Sequence, residues 1–207
     1  MTPGVWTVVV AAGRGSRYGA PKQYEPLGSG RVLDAALASA GAVSEGVVLV
    51  VAADRVADPE PAAAVVVEGG DTRSASVRRG LAAVPPAAEV IVVHDAARPY
   101  AEPALFLAVV AAVREGADGA VPGVPVVDTV KQVAADGRVL ATLDRSRLVT
   151  VQTPQAFRAR VLRAAHAAGG EATDDATLVE QAGGRVVVVP GSPRNRKITV
   201  ASDLRPT

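Results

Sequence analysis

The chain has 207 residues, enough for one α/β domain with a real core and short for two. It is 49% apolar but only 3% aromatic, so its core has to be built from small branched side chains, mainly Ala and Val. A net charge of +1 argues against general nucleic-acid binding, and the lack of cysteine excludes disulfides, thiolate metal sites and cysteine nucleophiles.

In chain order, Trp6–Ala11 reads as a buried strand and Arg31–Ala42 as a helix. Gly46–Ala52 and Ala64–Gly70 read as further strands, followed by a helix from Ser74. Glu89–Pro99 contains a fourth strand, Glu102–Gly116 a long helix, and Asp118–Val126 another strand. Near-continuous apolar strands that alternate with helices predict a doubly wound, mostly parallel sheet covered on both faces. Ligands of such sheets sit beyond the carboxyl ends of the strands. The rhythm breaks at about 125–152, where two β-like runs flank "AADG" with no helix between them; this reads as an inserted β-arm. An arm with few core contacts usually finds a partner, so a homodimer is expected. Helices from Ala156 and Asp174 and a strand over Arg185–Gly191 resume the pattern. Met1 is followed by "TPGVWTVVV", with no basic n-region and no long apolar run, and nothing approaches a membrane span; the expectation is a cytoplasmic protein without membrane partners.

The first strand runs into "AAGRGSRYGAPKQY". This is not a P-loop, because Lys22 follows no glycine and no Ser or Thr follows it. Nor is it a dinucleotide fingerprint: Gly13 and Gly15 fit, but Tyr18 takes the third glycine position and Pro21 interrupts any helix. What remains is a glycine loop that stays a loop and presents Arg14, Arg17 and Lys22. Glycines let backbone N–H groups approach phosphate oxygens, while Arg and Lys supply charge. Taken alone, a surface turn with solvated charges fits as well. Three further segments follow predicted strands or carry clustered cations: "GGDTRSASVRRG" (Gly69 to Gly80), "HDAARP" (His94 to Pro99) and "RNRK" (Arg194 to Lys197). The two histidines are far apart, and His166, in an Ala-rich helix, reads as structural. No nucleophile elbow and no zinc-ligand spacing occur. A chain poor in general bases and rich in cations beside glycine loops suits phosphoryl-group chemistry.

With "HDAARP", "VPVVDTVK", "LDRSRLVTVQTPQAF", "ATDDATLVEQAGG" and "RNRKIT" in this order, nearly the whole chain resembles the 2-C-methyl-D-erythritol 4-phosphate cytidylyltransferase family. The resemblance implies one Rossmann-like nucleotidyltransferase domain over residues 1–207, CTP and a polyol phosphate as substrates, and Mg²⁺ as cofactor. It implies Arg17, Lys22 and Lys197 as the catalytic cations on the CTP phosphates. Ala11, Ala12, Gly13, Gly15, Gly70, Asp71, Ser76, Asp95 and Ala96 would form the nucleotide site. Asp95, Arg98, Thr129, Arg145, Thr153 and Thr173 would serve the second substrate, with Thr129 and Arg145 reaching a neighbouring subunit's site. Asp95 is also the candidate metal contact, although the ion would be held mainly by the CTP phosphates. Two departures stand out. The chain ends at Leu204–Thr207, where the family continues into a closing helix, and Val149 stands where the family often carries an aromatic. A ribitol-5-phosphate cytidylyltransferase, a guanylyl- or sugar-nucleotide transferase and a non-catalytic nucleotide-binding subunit are the alternatives.

Overall fold

The structure is a computed structural model and describes residues 2–15 and 18–204. Its main sheet is built from β1 (Thr2–Val10), β4 (Ser44–Val51), β5 (Val65–Glu68), β6 (Val90–Asp95), β7 (Gly119–Pro125), β10 (Val149–Val151), β11 (Gln155–Arg158) and β12 (Val186–Pro190). Two short pairs stand apart from it: β2 (Pro26–Leu27) with β3 (Gly30–Arg31), and β8 (Lys131–Val133) with β9 (Val139–Thr142). The helices are α1 (Val32–Val43), α2 (Arg73–Ala83), α3 (Pro103–Arg114), α4 (Ala159–Ala167) and α5 (Asp175–Gln181). Among the described residues, no helix is long and apolar enough to cross a membrane.

Strands β5, β4, β1 and β6 run parallel in that spatial order, then β11 runs antiparallel, and β7 and β12 are again parallel. From β1 the chain winds outward to β4 and β5, then returns to the other side of β1 as β6. The direction of winding therefore reverses between β1 and β6, which opens a crevice at their carboxyl ends.

The two layers follow from strand alternation. In β1, Val5 and Val9 face the side covered by α1 and α3, while Trp6, Val8 and Val10 face α2. In β6, Val90 and Val92 join the first layer and Ile91 and Val93 the second. Leu33, Leu37, Phe106 and Val109 fill one side; Val77, Leu81, Leu162 and Val179 fill the other.

One expected element differs. The helix expected from Ala156 begins only at Ala159, because Gln155–Arg158 forms β11, hydrogen-bonded between β6 and β7. A short apolar run has no periodicity that separates strand from helix. The open backbone edges of β6 and β7 decide it, since buried N–H and C=O groups need partners. The arm is also shorter than 125–152: Val149–Val151 pair with Gly123–Pro125 and belong to the main sheet.

Candidate active site

A cavity of about 670 Å³ opens at the β1/β6 crevice. Its wall runs through Val10–Gly15, Lys22 and Gln23 on one side and Glu68–Arg73 with Ser76 on another; Asp95–Ala97 form the floor and Lys197 the rim.

The glycine loop leaves β1 at Ala11, whose N–H donates to the Val50 carbonyl. Gly15 has φ +64°, and a side chain there would bring a Cβ within 1.9 Å of the Ala20 carbonyl oxygen. Only glycine permits this fold-back, in which the Tyr18 and Gly19 N–H groups both donate to Gly15 O. Pro21 leads into a 3₁₀ turn over Lys22–Tyr24. The buried Gln23 then staples the loop: its Nε2 donates to Ala11 O at 2.6 Å and to Gly13 O at 3.1 Å. Facing it, α2 starts at Thr72, whose hydroxyl accepts the Ala75 N–H. Gly70 sits so close to this helix that a Cβ would lie 2.5 Å from that of Ala75. Ser76 Oγ accepts from Gly70 N–H and donates to Thr72 O, fixing the two glycines at the cavity edge.

Asp95, at the end of β6, is the electrostatic centre. Its Oδ1 accepts from Arg73 Nε at 3.3 Å and its Oδ2 from Lys197 Nζ at 2.6 Å. Burial alone would raise its pKa, but Arg73, Lys197 and Arg98 outweigh burial and hold the carboxyl well below the usual carboxylate range. Its backbone N–H donates to Thr153 Oγ1 at 3.0 Å. The Thr153 hydroxyl in turn donates to His94 Nδ1 at 3.1 Å, because His94 Nε2–H is committed to the Arg98 carbonyl. Burial pushes His94 down to about 4, so it is neutral, with both ring nitrogens occupied. Its ring packs against Phe106, tilted at 55° with centroids 5.0 Å apart, and it is no general base.

The loop that carries Lys197 is fixed by two buried amides. Gln152 Nε2 donates to Ser192 O and Asn195 O, and its Oε1 accepts from Ser192 N–H and Asn195 Nδ2. Asn195 Nδ2 also donates to Thr153 O.

Of the residues predicted from sequence, Ala11, Ala12, Gly13, Gly15, Lys22, Gly70, Asp71, Ser76, Asp95, Ala96 and Lys197 all line this one cavity. Arg17 lies outside the described residues. Thr153 is buried beneath the floor and reaches the cavity only through Asp95. Arg98 does not line it: Nη1 donates to Asn195 O at 2.8 Å, and burial lowers its guanidinium pKa despite Asp95. Thr173 is exposed just before α5. Thr129 and Arg145 are exposed on the arm, where Arg145 Nη1 donates to Val127 O at 2.6 Å. Sequence reasoning missed Gln23, Arg73, Gln152 and Asn195. All four lie inside segments that it singled out, but polar side chains that act through their tertiary partners leave no periodic signal. His166 is structural as expected, buried with Nε2 donating to Asp175 Oδ1 at 2.9 Å.

The donor set does not build a resident metal site. Among the described residues no three His, Asp or Glu side chains converge, and both Asp95 oxygens already face cations. Cations and backbone donors around a concave, base-poor cavity suit the stabilisation of a charge-rich transition state.

The sequence profile described as IspD, 2-C-methyl-D-erythritol 4-phosphate cytidylyltransferase, matches residues 5–206. The chain is 49% identical to the 2-C-methyl-D-erythritol 4-phosphate cytidylyltransferase of Saccharopolyspora erythraea over 97% of its own length and 96% of that protein's. It is 46% identical to the bifunctional enzyme IspD/IspF of Clavibacter michiganensis, covering 98% of this chain but 53% of that one, so it spans about half of the longer relative. The crystal structure of the Thermus thermophilus cytidylyltransferase superposes with a TM-score of 0.81 at 34% identity, covering 95% of this chain and 94% of the other.

Proposed function

Because the chain belongs to the 2-C-methyl-D-erythritol 4-phosphate cytidylyltransferase family, we propose that it transfers the cytidylyl group of CTP to 2-C-methyl-D-erythritol 4-phosphate. The products are 4-diphosphocytidyl-2-C-methyl-D-erythritol and pyrophosphate, and the step belongs to non-mevalonate isoprenoid synthesis. The observation that carries this reading is Lys197 Nζ, 2.6 Å from the buried Asp95 carboxylate at a cavity that Lys22 and the glycine loop also line.

A phosphate oxygen of the polyol substrate attacks the α-phosphorus of CTP. The bond from that phosphorus to the bridging oxygen breaks, and pyrophosphate leaves with the electron pair. The attacking phosphate is already ionised near neutral pH, so the lack of a general base is no obstacle. The obstacle is repulsion between anions, which Lys22, Lys197 and Arg17 offset in this reading. Ala11, Ala12, Gly13, Gly15, Gly70, Asp71, Ser76 and Ala96 contact the nucleoside and its phosphates. Asp95, Thr153 and Thr173 order the second substrate's side of the cavity, and Arg98 supports the loop that carries Lys197. Mg²⁺ enters with the substrate, as the magnesium complex of CTP.

Thr129 and Arg145 complete a second subunit's site through a homodimer, with residues 1–207 as one nucleotidyltransferase domain. The arm supports this reading by what it exposes: Val127 is 78% accessible, and Val133, Val139, Leu140 and Leu143 also stand in solvent. In this reading the enzyme acts in the cytoplasm on two small molecules, without nucleic acid or membrane.

The test is a panel of CTP, UTP and GTP against several polyol phosphates with Mg²⁺, read as pyrophosphate release. CTP with methylerythritol phosphate is expected to turn over fastest. Faster turnover with ribitol 5-phosphate overturns the substrate assignment, and no release with any pair, in folded protein, overturns the enzymatic reading.

A further inference from the structure

Behind the cavity floor, a line of buried charge continues away from Asp95. Arg73 lies between two carboxylates, with Nε on Asp95 Oδ1 at 3.3 Å and Nη1 facing Asp175 Oδ2 at 2.8 Å. The second contact is an ion pair without hydrogen-bond geometry: neither atom has a hydrogen-bond partner among the described residues, and both are buried. Asp175 Oδ1 accepts from His166 Nε2 at 2.9 Å, and both side chains are almost completely buried. His166 Nδ1 has no hydrogen-bond partner among the described residues. The line therefore runs His166, Asp175, Arg73, Asp95, Lys197, with alternating charge from Asp175 onward, and joins α4, α5, α2, β6 and the C-terminal loop.

Asp175 is not needed to start its own helix. Its neighbour Asp174 is the N-cap, with Oδ1 accepting from Thr177 N–H and Thr177 Oγ1 and Oδ2 from Gln155 Nε2. Two adjacent aspartates thus divide the work: one caps α5 and the other turns inward to Arg73. An unpaired carboxylate at that depth costs several kcal/mol, so its placement demands a counter-charge. Arg73 supplies it and is pulled into one conformation by acids at both ends of its planar fork. Lys197 gains most from this order. Its side chain is 38% exposed, on a flexible four-carbon stem, and Asp95 Oδ2 holds its ammonium at 2.6 Å. Any rotation of Asp95 is passed directly to that ammonium.

We propose that Asp175 is a positioning residue: braced by His166, it fixes Arg73, which fixes the Asp95 carboxylate, which aims Lys197 at the reacting phosphate. Asp175 does not line the cavity. The assignment rests on the cytidylyltransferase reading, because Lys197 is given its target there.

A double-mutant cycle in kcat tests it, with Asp175→Asn made in the wild-type and in the Lys197→Ala protein. In the wild-type background, kcat is expected to fall about tenfold with the KM for CTP nearly unchanged; in the Lys197→Ala background the same substitution is expected to cost less than about twofold. Loss of folded protein would lower kcat equally in both backgrounds, so equal losses overturn the proposal. If Asp175→Asn does not fold, His166→Gln replaces it in the same cycle, with a smaller loss that again vanishes without Lys197; an equal loss in both backgrounds overturns it there too. The wild-type protein in the same assay separates the two levels: an inactive wild type sinks the cytidylyltransferase reading, whereas additive losses beside an active wild type sink only the positioning role.

Discussion

The cavity floor and the arm carry the same kinds of residue under opposite conditions. On the floor, His94, Asp95, Gln152, Thr153 and Asn195 are all buried, and each has at least two side-chain or backbone partners. On the arm, Lys131, Asp144 and Arg145 are exposed, and their bonds are local: Lys131 to Thr142, Asp144 to Ser146, Arg145 to Val127. Buried charge must be paired and its geometry is then over-determined; exposed charge is held weakly and is free to be recruited. The floor is built to keep its shape before substrate arrives. The arm pairs β8 with β9 but leaves its apolar side chains in solvent.

The largest effect should come from removing the cations at the cavity's wall and rim. Lys22→Ala and Lys197→Ala should each lower kcat by at least about 10²-fold, while thermal melting stays close to wild type. Wild-type turnover in either variant would remove that lysine from the chemistry.

Next comes the arm. Replacing residues 129–145 by a short Gly-Ser linker should abolish turnover and give a monomer in sedimentation, yet leave melting nearly unchanged, because β7 and β10 stay paired. A fully active monomer would dissolve the contrast with the floor. The point variant Arg145→Ala should raise the KM for the polyol phosphate about tenfold and leave that for CTP unchanged, if the arm serves the second substrate alone.

Gly15→Ala should be milder. The strained φ and the clash with Ala20 O force the loop to open, so the KM for CTP should rise severalfold with a loss of stability on the order of 1 kcal/mol. An unchanged KM would separate the fold-back from nucleotide binding.

The smallest effect at working pH is the titration of His94. Burial holds it at about 4 in the folded protein against 6.5 ordinarily. Between those values the unfolded chain takes up a proton that the folded one refuses. Stability is therefore complete above about pH 6.5 and falls as pH drops toward 4, by on the order of 2–3 kcal/mol. Urea midpoints followed from pH 7 to pH 4.5 should show the drop, and His94→Gln should flatten it. An equal slope in that variant would mean that carboxylates, not His94, set the acid limit.

Much of this was legible in the chain itself. Alternating valine runs and helices gave the layers, because a strand buried on both faces leaves an unbroken apolar run. Gly13, Gly15, Lys22, Asp95 and Lys197 were legible because glycine and charge at strand ends are locally unusual. Gln155–Arg158 was not, since no pattern within four residues tells a strand slotted between β6 and β7 from the first turn of a helix. Arg98 stood out in its segment, but its contact with the Asn195 carbonyl did not, because its direction depends on a loop 97 residues away.

The sequence by itself determined the fold class, the glycine loop and the cations Lys22 and Lys197 that line the cavity, since these depend on local periodicity and on residue type. Only the tertiary structure decided how those cations are aimed. Asp175, Arg73, Asp95 and Lys197 come from four separate segments, and what joins them is the need of each buried charge for an opposite one within reach.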